Sequence, residues 1–216
     1  FCDRTCTCDI LCRMTERIGV FGGTFDPPHL GHLILAAEAL AQLHLDRLLW
    51  VLTSVPPHKL DQPITPVEDR LAMLQRALAD EPAFQLSRVD IDRPGPHYSA
   101  DTVRILAEQN RGAVMVFLMG GDSLHDLLTW HEPARLVAAC NELGVMRRPG
   151  AEIDLASLEQ NIPGLTAKIR FVDAPLLGIA SHELRRRVAA GEPFRYYVPP
   201  AVYEYILKRG LYAAGP

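Results

Sequence analysis

The chain has 216 residues, of which 48% are hydrophobic and 22% charged, and its net charge at pH 7 is -4. This composition is typical of a single globular domain with a substantial core. The slightly acidic charge and the lack of a long basic run argue against nucleic acid as a main partner. No apolar stretch of the sequence has the length of a membrane span.

Most of the cysteines crowd the N-terminus, at Cys2, Cys6, Cys8 and Cys12. Their spacing lacks the paired Cys-x-x-Cys pattern of common zinc sites. A short metal-binding or redox-active segment is the alternative interpretation. Because Met14 is followed almost at once by the first apolar run, we interpret residues 1–13 as a non-native or disordered tail and residues 14–216 as one domain. Cys140, alone in that domain, favours a reducing cytoplasm.

Strand-like and helix-like patterns alternate along the domain, which predicts an α/β fold with a doubly wound, Rossmann-like parallel sheet. Strands are predicted at residues 18–21, 47–52, 84–91, 113–119, 142–146 and 169–172. Helices are predicted from residue 33 onward and at 66–79, 99–109, 124–128, 181–190 and 200–209. Thr65, Ser99 and Ser181 are the predicted N-caps of three of these helices.

The loop that follows the first strand is the most informative segment. It reads Gly-Gly-Thr-Phe-Asp-Pro-Pro-His-Leu-Gly-His and spans residues 22–32. Glycines let backbone N–H groups approach a ligand closely, and the helix that follows adds the positive end of its dipole. His29 and His32 can both point at one anion, so the segment predicts a polyphosphate cradle. Zinc binding is an alternative, but Asp26 is the only further ligand nearby.

Ligands of doubly wound sheets bind beyond the carboxyl ends of the strands, so the loops starting there should gather around one site. Those loops start at Gly22, Thr53, Asp92, Gly120 and Arg147. Lys59, in a Pro-Pro-His-Lys loop, can reach a phosphate, although an exposed loop lysine is the alternative. The absence of Gly-x-Gly-x-x-Gly argues against a classical NAD-dependent dehydrogenase.

Three later segments carry further candidates. Gly120 permits close approach of a nucleotide, and Asp122 either accepts hydrogen bonds from ribose hydroxyls or caps a helix. Trp130 offers an aromatic plate to a pyridine or purine ring, with burial in the core as the alternative. Ser181 and Arg185 open a late helix as a second anion site, unless Arg185 is an ordinary solvated charge.

Together these segments resemble the bacterial nicotinate-nucleotide adenylyltransferases, a family within the nucleotidyltransferases that share the His-x-Gly-His motif. The resemblance covers about Arg17 to Tyr212. It rests on the first loop, the Pro-Pro-His-Lys loop, the Gly-Pro-His-Tyr-Ser-Ala-Asp-Thr segment, Gly-Gly-Asp-Ser followed by Trp130, and the C-terminal Val198-Pro199, Tyr205-Ile206 and Leu211-Tyr212. It implies transfer of AMP from ATP to nicotinate mononucleotide, releasing pyrophosphate, with Mg²⁺ carried by the ATP phosphates.

The segments and the resemblance together predict roles for individual residues. The catalytic set is His29, His32, Lys59 and Arg185. ATP binding is assigned to Gly22, Gly23, Thr24, Phe25, His29, His32, Gly120, Asp122, Ser181 and Arg185. Nicotinate mononucleotide is assigned to Lys59, Tyr98, Ser99, Trp130, His131 and Arg147, with Trp130 stacked on the ring and the N–H groups near Tyr98 and Ser99 on its carboxylate.

The sequence departs from the family pattern at four places. The late motif, usually Ile-Ser-Ser-Thr-x-Ile-Arg, has Ala180 and His182 in place of two hydroxyl residues, and His97 and Ser99 replace the usual serine and threonine. These departures bear on affinity and site geometry more than on the type of reaction.

Three alternatives stay open. The first is a sister nucleotidyltransferase that uses nicotinamide mononucleotide or phosphopantetheine as acceptor. The second is a fragment of a class I aminoacyl-tRNA synthetase, which the short chain, the acidic charge and the lack of a lysine-rich second signature disfavour. The third is a non-catalytic nucleotide sensor. The sequence is also compatible with a homo-oligomer.

Overall fold

The predicted strands form one parallel sheet in a computed structural model, which describes residues 15–54, 64–147, 153–175 and 177–213. Within these ranges the strands are β1 (Arg17–Gly23), β2 (Arg47–Leu52), β3 (Phe84–Ser87), β4 (Val114–Gly120), β5 (Glu142–Met146) and β6 (Ile169–Val172). The α-helices are α1 (Leu30–Gln42), α2 (Val67–Leu78), α3 (Ser99–Gln109), α4 (Gly121–His125), α5 (Pro133–Ala139), α6 (Leu155–Asn161), α7 (Leu165–Lys168), α8 (Ser181–Ala189) and α9 (Pro200–Arg209). The predicted α/β class is confirmed.

The order of the strands determines where a ligand can bind. The sheet runs β3-β2-β1-β4-β5-β6, and every neighbouring pair is parallel. The chain therefore leaves β1 toward one edge and returns to β4 on the other side of β1. Open α/β sheets bind ligands at such a switch point, beyond the carboxyl ends of the strands. Gly22 and Gly23 end β1 there, and Gly120 ends β4.

Both faces of the sheet are covered by helices, as its continuous apolar strands require. In β4, Phe117 and Met119 pack into a cluster with α3 and α5, whereas Val116 and Leu118 face a second cluster with α1 and α2. A smaller cluster around Met73 joins α2 to α8 and α9. Among the described residues, no helix is long and apolar enough to cross a membrane.

The three predicted N-caps are wrong by one residue each. Helices α2, α3 and α8 are capped instead by Pro66, Tyr98 and Ala180. The backbone of Pro66 is extended, and its carbonyl accepts the first N–H groups of α2, so that helix begins one residue later. Ser181 lies at the first helical position, and its hydroxyl donates to the carbonyl of Pro27 instead of capping α8.

Several predicted boundaries also differ. The third strand was predicted at 84–91 but ends at Ser87, because the carbonyl of Arg88 accepts the N–H groups of Ile91 and Asp92 in a helical turn. The helix predicted at 124–128 is divided between α4 and a 3-10 turn at Leu127–Thr129. The prediction of a tail at residues 1–13 lies outside the described residues.

Candidate active site

A cavity of about 280 Å³ lies at the switch point between β1 and β4. Its floor is formed by the end of β4, including Phe117, and one side by the segment that begins α3. Eight of the predicted site residues line it: Gly22, Gly23, Thr24, Tyr98, Ser99, Gly120, Trp130 and His131. The sheet therefore brings the predicted nicotinate-binding and nucleotide-binding segments together around one cavity.

One wall of the cavity is aromatic. Tyr98 stacks on His131 with ring centroids 3.9 Å apart and 28° between the rings. Trp130 stands nearly perpendicular to Phe117, at a centroid distance of 6.4 Å. Because Trp130 is only partly buried and Phe117 supports its edge, its indole ring is held as a plate beside the cavity.

The first loop is held by its own aromatic packing. Phe25 has a left-handed backbone, with φ of 47°. Its buried ring packs edge-on against Phe21 and contacts His32. A Cβ on Gly23 would lie 2.8 Å from the Phe25 ring, so glycine at that position lets the ring fold over the end of β1.

His29 and His32 form a stacked pair at the N-terminus of α1. Their ring centroids lie 3.6 Å apart and the rings are 20° from parallel. The backbone N–H of His29 donates to Nδ1 of His32 at 3.2 Å. Since Nδ1 accepts, the neutral His32 ring carries its proton on Nε2, where it is a donor.

Burial keeps both imidazoles neutral. Desolvation lowers the pKa of His29 from 6.5 to about 4. The pKa of His32 lies well below 6.5, first because of burial and second because of its neighbour His29. Nδ1 of His29 is buried and has no hydrogen-bond partner among the described residues. An anion placed against the pair would favour protonation of the imidazoles.

The lowered pKa of His29 predicts a pH-dependent stability. Between pH 6.5 and about 4 the unfolded chain binds more protons at this residue, so the fold loses stability as the pH falls through that window. From pH 7 to pH 5 we expect the free energy of unfolding to decrease by about 2 kcal/mol through His29. Denaturant unfolding of the wild type and of His29→Gln at both pH values checks this. An equal decrease in the two proteins would contradict it.

The N-terminus of α8 lies against the first loop. Ser181 donates to the carbonyl of Pro27 at 2.9 Å, and the guanidinium of Arg185 donates to the carbonyl of Asp26 at 2.7 Å. The Arg185 side chain remains about one-third exposed. The fold thus places the second predicted anion site beside the first.

Of the other predicted site residues that the structure describes, seven do not line the cavity: Phe25, His29, His32, Asp122, Arg147, Ser181 and Arg185. Lys59 lies outside the described residues. The guanidinium of Arg147 packs 4.4 Å above the Phe171 ring and lies 3.7 Å from Asp173. Asp122 is exposed in the first turn of α4, next to Ser123, which lines the cavity.

Sequence reasoning missed the polar support beneath the site. His97 lines the cavity, is 4% exposed, and its Nε2 lies 3.1 Å from the carbonyl of Arg93. Asp90, 3% exposed, accepts from Thr102 at 2.7 Å and from Arg93 at 3.0 Å. These bonds fix the segment that carries Tyr98. A cluster of polar residues before a helix is too common a pattern to have indicated this network.

The comparison with known sequences identifies the family. Residues 20–187 match the family described as cytidylyltransferase-like. A relative from Thermomicrobium roseum, named a probable nicotinate-nucleotide adenylyltransferase, is 50% identical over 197 residues, which are 91% of this chain and 92% of that protein. A relative of the same name from Thermus thermophilus is 44% identical over 196 residues, 91% of this chain and 99% of that protein.

Solved structures share the fold. Nicotinic acid mononucleotide adenylyltransferase from Plasmodium falciparum, complexed with NaAD, superposes with a TM-score of 0.74 at 20% identity, covering 91% of this chain and 97% of that one. The same enzyme complexed with APC gives a TM-score of 0.71 at 21% identity, again covering 91% of this chain and 97% of that one. From the family match and the extent of identity to its relatives, the chain belongs to the nicotinate-nucleotide adenylyltransferases, a family of enzymes within the nucleotidyltransferase fold.

Proposed function

We propose that this enzyme transfers AMP from ATP to nicotinate mononucleotide, giving nicotinate adenine dinucleotide and pyrophosphate. The observation that best supports this function is that one cavity is lined both by the glycine-rich first loop and by an aromatic wall. Gly22 and Gly23 line the cavity together with Trp130 and Tyr98. The cavity thus joins features suited to a polyphosphate and to a planar ring.

In this reaction an oxygen of the nicotinate mononucleotide phosphate attacks the α-phosphorus of ATP. A new P–O bond forms while the bond between the α-phosphorus and the bridging oxygen breaks, and that oxygen leaves with pyrophosphate. The nucleophile is already ionised at neutral pH, so no general base is required. Alignment and stabilisation of the growing negative charge should dominate catalysis. We assign this charge to His29, His32, Lys59 and Arg185.

ATP would enter as its magnesium complex. Among the described residues there is no group of three or more histidine, cysteine, aspartate or glutamate side chains that could hold a metal ion. Magnesium prefers to retain several waters and to bind substrate phosphates with one or two carboxylates. We therefore treat Mg²⁺ as part of the substrate.

The direct test is to incubate the protein with ATP, Mg²⁺ and nicotinate mononucleotide. We expect equal amounts of pyrophosphate and of a product with the mass of nicotinate adenine dinucleotide. ATP binding without pyrophosphate release would favour the sensor instead. Release only with another phosphate acceptor would favour a sister nucleotidyltransferase.

The variant Gly120→Ala tests separately whether the nucleotide lies close to the backbone at Gly120. Its φ of -76° and ψ of 160° suit any residue, and an added Cβ would meet no atom within 4 Å. We expect Gly120→Ala to change the free energy of unfolding by no more than about 0.5 kcal/mol, while the KM for ATP rises about fivefold or more. Steady-state kinetics and denaturant unfolding check this.

Gly144→Ala is the matched control for packing. Its Cβ would lie 2.5 Å from Leu118 and 2.7 Å from Leu43, so it should destabilise the fold by about 1–3 kcal/mol. An unchanged KM for ATP in Gly120→Ala would show that the nucleotide does not approach this backbone.

A further inference from the structure

Asp26, in the middle of the first loop, connects several distant segments. Its carboxylate is buried, with 3% of the residue exposed. Oδ1 accepts from the hydroxyl of Tyr212 at 2.7 Å, and Oδ2 accepts from the backbone N–H of Thr65 at 3.2 Å. Arg185 donates to the carbonyl of the same residue at 2.7 Å. The first loop is therefore joined through one residue to the segment before α2, to α8 and to the C-terminal segment.

A buried arginine, Arg70, also holds the first loop in place. Arg70 is 1% exposed and donates to the backbone carbonyls of Thr24, Thr53, Ser54 and Thr65 at distances from 2.8 to 3.1 Å. Thr24 and Thr53 line the cavity. Arg70 thus holds the loops after β1 and β2 at a fixed distance from each other. The negative charge of Asp26 also interacts with its guanidinium.

Tyr212 is suited to its contact with Asp26. Burial and the neighbouring Asp26 carboxylate raise the pKa of its hydroxyl, so the hydroxyl stays protonated and donates. Its backbone is left-handed, with φ of 63°, and it follows the turn that ends α9 at Gly210. His29 follows Asp26 by only three residues, so a shift of Asp26 would displace the histidine pair.

We propose that Tyr212 is a positioning residue for the ATP phosphates, acting through Asp26 to hold the first loop and thereby the His29–His32 pair. The proposal rests on the proposed function for its ligand. It predicts that loss of the Tyr212 hydroxyl weakens the use of ATP much more than the use of the nucleotide acceptor.

The chain offers a matched control for this contact. Tyr205 donates its hydroxyl to the buried carboxylate of Asp69 at 2.8 Å, a bond of the same kind that joins α9 to α2. Tyr212→Phe and Tyr205→Phe each remove one tyrosine–aspartate hydrogen bond and leave the ring in place. Both should lower the melting temperature by a few degrees.

The kinetics should separate the two variants. In Tyr212→Phe we expect kcat/KM for ATP to fall about tenfold, while the KM for nicotinate mononucleotide stays within about twofold. In Tyr205→Phe both constants should stay within about twofold of the wild type. Equal kinetics in the two variants, or an equal rise of both KM values in Tyr212→Phe, would overturn the positioning role.

A double-mutant cycle tests whether Tyr212 acts through Asp26. The variant Asp26→Ala with Tyr212→Phe should lose no more than Asp26→Ala alone, because Asp26→Ala already removes the acceptor of this bond. Additive losses would contradict the route through Asp26.

If the wild type fails to use nicotinate mononucleotide, the proposed function fails. The dissociation constant of a non-hydrolysable ATP analogue, measured for both tyrosine variants, still decides the positioning role.

Discussion

Replacement of His32 by alanine should lower kcat by on the order of a hundredfold or more, as removal of one preorganised donor does in other enzymes. His32 is fixed from three sides, by the stack with His29, the bond from the backbone N–H of His29, and the edge of the Phe25 ring. Its donor at Nε2 therefore needs little reorganisation when charge develops on the phosphates. Single-turnover measurement of pyrophosphate release checks the loss at the chemical step.

Two variants control this prediction. His32→Gln places an amide nitrogen near the position of Nε2 and should recover part of the lost rate. His125→Ala changes an exposed histidine at the end of α4, away from the cavity lining, and should leave kcat within about twofold of the wild type. A folded His32→Ala protein with nearly normal turnover would show that His32 is not part of the charge-stabilising set.

Replacement of Trp130 by alanine should raise the KM for nicotinate mononucleotide by about 5- to 150-fold, because stacking of an aromatic ring on a base is worth about 1–3 kcal/mol. The Trp130 ring borders the cavity and is held at its edge by Phe117. The KM for ATP should change by no more than about twofold, since the ATP phosphates are assigned to the His29–His32 pair and not to Trp130. Steady-state kinetics with each substrate varied in turn checks both values.

Trp130→Phe is the conservative variant. It keeps a flat ring of smaller area, so its KM for nicotinate mononucleotide should lie between those of the wild type and Trp130→Ala. A selective rise in the KM for ATP instead would place the adenine ring, not the nicotinate ring, against Trp130.

The sheet could be predicted from the sequence because its signals are local. Continuous apolar runs such as that of β4 identify buried parallel strands, and the glycine-rich loop after β1 predicts a phosphate cradle. Parallel strands share one carboxyl edge, so the meeting of the loops that contain Gly22, Tyr98 and Trp130 also followed.

Helices α3 and α9 have the predicted bounds, but the starts of other helices and the support of the site could not be predicted in the same way. Helix α5 begins at Pro133, after a left-handed Glu132, a backbone conformation for which the residue gives no signal. Tyr212 and Asp26 are 186 residues apart, and no local pattern records such a contact. A weak signal existed for Arg70, because it shares its helix face with the buried Met73 and Leu74 at spacings of three and four residues.

The most direct test of the account compares phosphate acceptors. The values of kcat/KM would be measured with ATP and Mg²⁺ for nicotinate mononucleotide, nicotinamide mononucleotide and phosphopantetheine in parallel. We predict that nicotinate mononucleotide is preferred, since the N–H groups that begin α3 near Tyr98 and Ser99 are assigned to its carboxylate. A preference for phosphopantetheine or for the amide would contradict this assignment of the acceptor.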